Sequence, residues 1–231
     1  YLYSLVNTGN FREAFNYSKK LERQNVNIFE SRLVLGVYHL RYSKLELAKK
    51  NFKKAKETKR SVLNDFVTNS LINWSNLKSS NLNNSMIEIK KIDGRFENLK
   101  KIQNIFLSCY FDSPNTENLY KELISNKKTD FSRYNYFYAS FMANSGKIKE
   151  AKEIVNSALK SYPRNLKLNQ LKADLNENKN ISIFNCKNEA HVSAEILYIT
   201  ANALSSQSIY PLSNFYLNLA KFLNEDFHSY D

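Results

Sequence analysis

Glycine and proline are scarce in this chain of 231 residues, which contains four glycines and three prolines. β-Sandwiches and doubly wound sheets need more of both, because tight turns depend on a positive φ angle or on the φ angle that proline fixes. The hydrophobic fraction of 42% still provides enough apolar side chains for a core. The composition therefore favours a folded, all-helical protein.

Cysteine is scarce as well. Cys109 and Cys186 lie far apart in the sequence, and neither has a His or Cys neighbour at the spacing of metal ligands. This pattern predicts no disulfide framework and no zinc site. No apolar run approaches the roughly 20 residues that a membrane-spanning helix needs, so we expect no transmembrane segment.

The sequence also has no recognisable catalytic motif. His191 and Glu195 lie one helical turn apart, but a zinc-protease motif would need a second histidine beside that glutamate. Cys186 and His191 have no orienting group or oxyanion donor near them in the sequence. A glycine-rich phosphate loop and a carboxylate cluster are both missing. We therefore expect no enzyme activity, no catalytic residue, no metal ion and no cofactor.

The chain is basic, with 34 Lys and Arg residues against 22 Asp and Glu residues and a formal charge of +12. Lysine far outnumbers arginine, the side chain that recognises guanine and phosphate in a bidentate manner, so we expect no specific nucleic-acid partner. The strongest basic run lies between residues 49 and 60. It predicts either a solvated convex face or a patch for anionic lipid or polymer. Its members are Lys49, Lys50, Lys53, Lys54, Lys56, Lys59 and Arg60.

Internal similarity is the most informative feature of the sequence. Residues 10–21 (NFREAFNYSKKL) resemble residues 44–55 (KLELAKKNFKKA) at a separation of 34 residues, and residues 147–158 (KIKEAKEIVNSA) form a third copy. Small residues recur with one spacing, in which the second follows the first after twelve residues and the third follows after seven more. The three sets are Gly36, Ala48 and Ala55; Ala139, Ala151 and Ala158; and Ala201, Ser213 and Ala220.

This spacing has a simple physical meaning. Residues seven positions apart lie on one face of a helix, two turns apart, and two helices approach closely only where their side chains are small. Each helix pair would leave one apolar face for the next pair to cover. Among the helices that the periodicity predicts are 29–41, 45–58, 62–77, 82–92, 131–144, 147–160, 189–205 and 209–223.

On these motifs the chain resembles the tetratricopeptide repeat proteins. The clearest match runs from Arg133 to Asn165; Gly146 precedes its second helix, and Pro163 ends that helix as the family's repeat-end proline does. The resemblance implies an all-α, right-handed α-solenoid of stacked antiparallel helix pairs. The order of repeats is similar to a group of longer bacterial envelope proteins of this family. That likeness implies a fragment of a periplasmic or cell-envelope protein, with a cytoplasmic location as the alternative.

The predicted organisation has three parts. Residues 1–175 form a repeat array of about five helix pairs with one short extra helix. Residues 176–188 are a linker within the array, and residues 189–231 hold a further helix pair and the start of a truncated repeat.

The resemblance also implies a function, which is to bind a protein or peptide partner in a concave groove lined by the first helix of each pair. Aromatic and arginine side chains suit such a surface because they bury large areas. Two alternatives stay open: peripheral contact with an anionic membrane or polymer through the basic run, and a passive spacer role in a longer array. The residues predicted to bind the partner are Val37, Arg41, Arg133, Tyr136, Phe137, Asn144, Tyr198 and Asn202.

Overall fold

The computed structural model describes residues 1–58, 61–126, 131–179, 181 and 183–227. Within these residues it contains thirteen α-helices and no β-strand, which confirms the all-helical class. None of these helices is long and apolar enough to cross a membrane. The helices are α1 (Leu2–Asn7), α2 (Phe11–Arg23), α3 (Phe29–Arg41), α4 (Leu45–Thr58), α5 (Val62–Trp74), α6 (Leu82–Lys90), α7 (Glu97–Tyr110), α8 (Thr116–Ile124), α9 (Tyr134–Asn144), α10 (Ile148–Ser161), α11 (Leu166–Asn176), α12 (Glu189–Ser205) and α13 (Tyr210–Leu223).

Four helix pairs, α1/α2, α3/α4, α9/α10 and α12/α13, share one type of turn. In each pair a residue with a positive φ angle, between 55° and 80°, follows the first helix, as is common at helix C-termini. Its amide donates to the carbonyl three residues earlier, and the next amide donates to the carbonyl five residues earlier. In the α3/α4 turn, Ser43 N bonds Leu40 O at 3.0 Å and Lys44 N bonds His39 O at 2.9 Å. The residues with the positive φ angle are Gly9, Ser43, Gly146 and Ser208.

The small residues of the repeat lie where paired helices cross. Gly36 on α3 faces the ring of Phe52 on α4 so closely that a Cβ atom at Gly36 would overlap the ring. In the α12/α13 pair, Ser213 Oγ donates to Ala201 O at 2.8 Å. Pro163 is exposed and lies just beyond the end of α10. The other small residues of the three sets are also buried: Ala48, Ala55, Ala139, Ala151, Ala158 and Ala220.

The chain forms two compact units. The first comprises residues 1–107 together with residues 186–231, and the second comprises residues 108–185. One boundary falls inside α7, and the other falls within the segment 176–188 that was predicted as a linker. Residues 180 and 182 of that segment, and residues 228–231 of the predicted truncated repeat, lie outside the described residues.

In the first unit, successive helices pack in the order of a helix-pair array, with α2 against α3 and α4 against α5. The C-terminal hairpin, α12 and α13, then packs against the first helices of three pairs: α12 contacts α3 and α5, and α13 contacts α1 and α3. The Tyr3 and Phe215 rings lie 4.7 Å apart, and Phe222 stacks on Phe11 at 4.1 Å. This hairpin therefore covers the face that would line a concave groove.

A polar cluster joins α2, α3 and α4 in the same unit. Arg32 is buried, with only 5% of its surface exposed, and its guanidinium donates to the Glu22 carboxylate and to the Asn27 side chain. Lys19 and Lys54 donate to the same carboxylate at 2.9 and 3.2 Å. These bonds, that of Lys19 first, hold the pKa of Glu22 at about 2 although partial burial opposes the shift.

The second unit is built around the pair α9/α10. Helices α8 and α11 both pack against α9, and α11 also contacts α10. Tyr120 on α8 stacks on Tyr138 of α9 at 5.3 Å, and Phe184 packs edge-on against Phe137 at 4.6 Å.

The cysteines correct one expectation. Neither Cys109 nor Cys186 is a free thiol, and both are disulfide-bonded. The expectation that these residues form no disulfide was wrong, because sequence separation says little about which residues a fold brings together.

Candidate ligand-binding cleft

The four predicted partner-binding residues of the first unit lie on α3 and α12, which pack against each other. Val37 is fully buried beneath neighbouring helices. Arg41 is half-buried, and its Nη2 atom lies 2.6 Å from Oε1 of Glu225. Tyr198 is half-buried, and Asn202 is exposed. The structure thus brings these helices together; it buries Val37, partly covers Arg41 and Tyr198, and leaves Asn202 exposed.

The other four predicted residues lie on or beside α9 in the second unit. Tyr136 and Phe137 are buried, and burial raises the pKa of the Tyr136 hydroxyl. The Arg133 guanidinium carbon lies 5.5 Å from the centre of the Phe137 ring, a cation–π arrangement. Asn144 is exposed at the end of α9. The aromatic side chains therefore belong to the core of this unit rather than to an open surface.

The structure forms no metal site from the residues that the sequence analysis considered, Cys186, His191 and Glu195. Across the described ranges, no group of three or more His, Cys, Asp or Glu side chains is placed to hold a metal ion. His191 is partly buried, and this burial, together with the nearby Arg41 cation, lowers its pKa to about 4 against the pull of Asp226. Its imidazole is therefore neutral at physiological pH.

An open cleft of about 1150 Å³ lies between α4, α5 and α6 in the first unit. Helix α5 forms its floor, α4 forms one wall, and α6 with the turns beside it forms the other wall. The cleft exists because α6 packs against α5 but has no extensive contact with α4. We call this site the α4–α6 cleft. Its lining residues are Lys49, Lys53, Lys56, Glu57, Val62, Asp65, Phe66, Asn69, Ile72, Asn73, Asn76, Ser79, Ser80, Asn84, Ile87, Glu88, Lys91 and Asp93.

The α4 wall carries three lysines of the basic run. Lys49, Lys53 and Lys56 follow one another by four and three residues, so they share one face of the helix. Lys49 Nζ donates to Asn76 Oδ1 at 2.7 Å, which ties this wall to the end of α5. Lys54 points elsewhere and binds Glu22, while Lys50 is exposed outside the cleft. Lys59 and Arg60 lie outside the described residues.

The floor and the opposite wall carry amides, hydroxyls and a few apolar groups. Asn73 is nearly buried, and its Nδ2 donates to Ser85 O at 3.0 Å, which fixes α6 on α5. Asn69 and Asn84 line the open part of the cleft. Ile87 is 50% exposed and supplies an apolar contact surface in the cleft.

Among the described lining residues, four lysines face four carboxylates. On the α6 side, Lys91 Nζ lies 2.6 Å from Glu88, and Asp93 is held by Arg95 at 3.0 Å. Glu57 on α4 and Asp65 on α5 also line the cleft. The described lining is mainly polar, and its lysines without an ion pair, Lys53 and Lys56, lie on the α4 wall.

Sequence reasoning found the lysines of this cleft but not the cleft. It treated them as part of a single outward patch. A usable signal was present in and just after α5, where Asn69, Asn73 and Asn76 recur at intervals of four and three residues, next in sequence to the lysines of α4.

Comparison with protein-family models, curated proteins and solved structures found no match.

Proposed function

We propose that this chain is a non-catalytic, tetratricopeptide-type repeat protein that binds another protein through the α4–α6 cleft. One observation carries this proposal: the face of α1, α3 and α5 is covered by the chain's own hairpin, whereas the cleft is open. Ligands usually bind in concave sites where polar groups fix their orientation. The described lining of this cleft is mainly polar, which suits a ligand with many hydrogen-bonding groups. The cleft, rather than the α1/α3/α5 face, then presents the binding surface.

The repeat assignment rests on recurring local geometry. The turn at Gly9, Ser43, Gly146 and Ser208 also follows α2 and α7, so the turn alone does not mark a repeat. In three of the helix pairs, small residues stand at matching distances from it. Gly36, Ala139 and Ala201 each precede the residue of positive φ by seven positions. On this proposal α1 to α6 form three stacked pairs with the right-handed superhelical sense of such arrays.

A protein partner fits the cleft better than an anionic membrane does. A membrane surface is flat and would meet protruding lysines, whereas Lys49, Lys53 and Lys56 face a cleft with carboxylates on its lining. Attraction to anionic lipid scales with the number of basic groups near the surface. Among the described lining residues, four carboxylates offset the attraction of the four lysines.

The proposed location in the cell rests on the resemblance and on the cysteines. Disulfide bonds persist mainly in oxidising compartments such as the bacterial periplasm. The disulfide-bonded state of both cysteines supports a periplasmic or cell-envelope location for this chain.

The proposal is tested by filling the cleft with long side chains. The variant Asn84→Arg/Ile87→Arg changes two exposed cleft residues and leaves the core intact. Purified wild-type and variant chains would be immobilised and used to capture proteins from lysate at matched loading, with quantitative mass spectrometry as the readout. We expect at least one protein to be captured by the wild type and to fall about tenfold or more with the variant.

A matched control adds the same charges elsewhere. The variant Asn156→Arg/Leu166→Arg replaces one exposed asparagine and one apolar side chain that is 84% exposed, both in the second unit. It should capture the same proteins as the wild type. Equal capture by all three chains would reject the cleft, and loss only with the control would move the site to the second unit.

A further inference from the structure

We infer that the α4–α6 cleft binds an extended polypeptide segment that places acidic side chains on Lys53 and Lys56. This inference rests on the proposed function and adds to it the conformation and the charge of the ligand. It follows from which cations are free, which anions are already paired, and what the amide groups of the lining can bind.

The free cations lie on the α4 wall. In the part of the chain that the structure describes, neither Lys53 nor Lys56 has an ion pair or a side-chain hydrogen bond, whereas Lys49 bonds Asn76 and Glu46. Lys53 and Lys56 lie less than one helical turn apart along α4, a rise of about 4.5 Å. Carboxylates of a ligand in the cleft would form charge-assisted hydrogen bonds with these exposed ammonium groups.

The anions of the lining limit how much negative charge the ligand carries. Glu88 and Asp93 are held by Lys91 and Arg95 on the α6 side. Glu57 and Asp65 also line the cleft, and their carboxylates repel further negative charge. A continuous polyanion would meet these carboxylates, so one or two acidic side chains facing α4 match the cleft better.

The amides of the lining favour an extended main chain. Asn side chains both donate and accept hydrogen bonds, and so does each peptide unit. A helix satisfies most of its peptide groups internally and would leave Asn69 and Asn84 without partners. An extended segment exposes its peptide groups and directs alternate side chains to opposite sides. One set can then face the lysines while the other meets Ile72 and Ile87.

A random 12-residue peptide library displayed on phage, panned against the full chain, tests this inference. We expect enriched peptides that carry one or two Asp or Glu residues and no helical periodicity. Synthetic, fluorescein-labelled copies of the enriched peptides would then be titrated by fluorescence anisotropy. Lys53→Gln/Lys56→Gln should weaken their binding about tenfold or more, as loss of charge-assisted hydrogen bonds predicts. Lys50→Gln, on the same helix but outside the cleft, should change binding less than about twofold.

Further arms separate this inference from the proposed function. Peptides whose binding is lost with Asn84→Arg/Ile87→Arg but unchanged with Lys53→Gln/Lys56→Gln would reject the acidic ligand. The same result would support the cleft as the binding site. Selected peptides that show helical circular dichroism when bound would overturn the extended conformation. If panning enriches no peptide, or if heparin or vesicles with anionic lipid bind in a Lys53/Lys56-dependent manner while peptides do not, the inference is overturned.

Discussion

Gly36 on α3 lies against the ring of Phe52 on α4, in a helix crossing that has no room for a Cβ atom. Phe52 is fully buried and has little freedom to move away. We therefore expect Gly36→Ala to lower the free energy of unfolding by about 1–3 kcal/mol, as overpacking does, although alanine is the better helix former. Urea unfolding followed by Trp74 fluorescence measures this, because Trp74 is the single tryptophan and lies in the first unit.

Gly94→Ala is the matched control for this crossing. An added Cβ atom at Gly94 would meet nothing within 4 Å. Gly94→Ala should change the free energy of unfolding by no more than about 0.5 kcal/mol, as most surface substitutions do. Equal destabilisation by both variants would show that the tight α3/α4 crossing is absent.

The second prediction concerns the hairpin that covers α1, α3 and α5. Phe215 is fully buried and packs against Tyr3. If the hairpin is an integral part of the first unit, Phe215→Ala should lower the free energy of unfolding by about 3–5 kcal/mol, as removal of a buried aromatic side chain usually does. Trp74 fluorescence should report this loss, because α12 packs against α5, the helix that carries Trp74.

A hairpin that opens easily would give another result. Phe215→Ala would then change the free energy of unfolding, measured by Trp74 fluorescence, by less than about 1 kcal/mol. Leu166→Ala, at a highly exposed position of the second unit, sets the baseline for an apolar truncation without burial.

The third prediction is a pH dependence from His191. Burial, with the Arg41 cation, lowers its folded-state pKa to about 4, whereas an unfolded histidine titrates near 6.5. Between these values the unfolded chain binds the proton and the folded chain does not. The His191 contribution is therefore complete above pH 6.5 and falls as the pH drops to 4, by up to about 3 kcal/mol.

Urea unfolding at pH 7, 6, 5 and 4 measures this slope in wild type and His191→Gln. The free energy of unfolding of the variant should change less between pH 7 and pH 4, because glutamine does not titrate. His39→Gln serves as a second comparison, since burial and neighbouring lysines also lower the pKa of that imidazole. Identical slopes for wild type and His191→Gln would mean that His191 is not held neutral by the fold.

The fourth prediction concerns the Glu22 cluster at lower pH. Its folded-state pKa of about 2 lies below the ordinary value of 4.5. The stabilisation is fully present above pH 4.5 and is lost as the pH falls through 2, because the carboxylate must then be protonated. Glu22→Gln should be less stable than wild type at pH 6, and the difference should shrink by pH 2.5. A constant difference across this range would contradict the charged cluster.

Local periodicity predicted most of the helices, but it did not predict the turns in which a serine has a positive φ angle. Helices α3 and α4 have the expected bounds, because their apolar and small residues recur with the helical period. The burial of Arg32 and Asn51 on the same helices was not predicted. Gly9 and Gly146 marked two turns, but Ser43 and Ser208 adopt the same positive φ angle without glycine. The hydrogen bonds to the carbonyl groups of the preceding helix hold those serines there, and a sequence does not display such bonds.

The candidate site could not be predicted because it depends on contacts between distant segments. Val37 follows the pattern of a groove residue, and only the packing of α12 and α13 onto the first helices shows that it is buried. The sequence does not distinguish the lysines of α4 from one another. Lys54 binds Glu22, whereas Lys53 lines the cleft, because of where α2 and α6 lie.

Photo-crosslinking tests the central claim most directly, that the α4–α6 cleft is the protein-binding surface. A photoreactive phenylalanine would replace Ile87 in one chain and Leu166 in another, both being exposed apolar residues on helices. After irradiation in the native cell, adducts would be identified by mass spectrometry. A discrete protein adduct from position 87 and none from position 166 is the predicted result. The same adducts from both positions, or adducts from position 166 alone, would contradict the account.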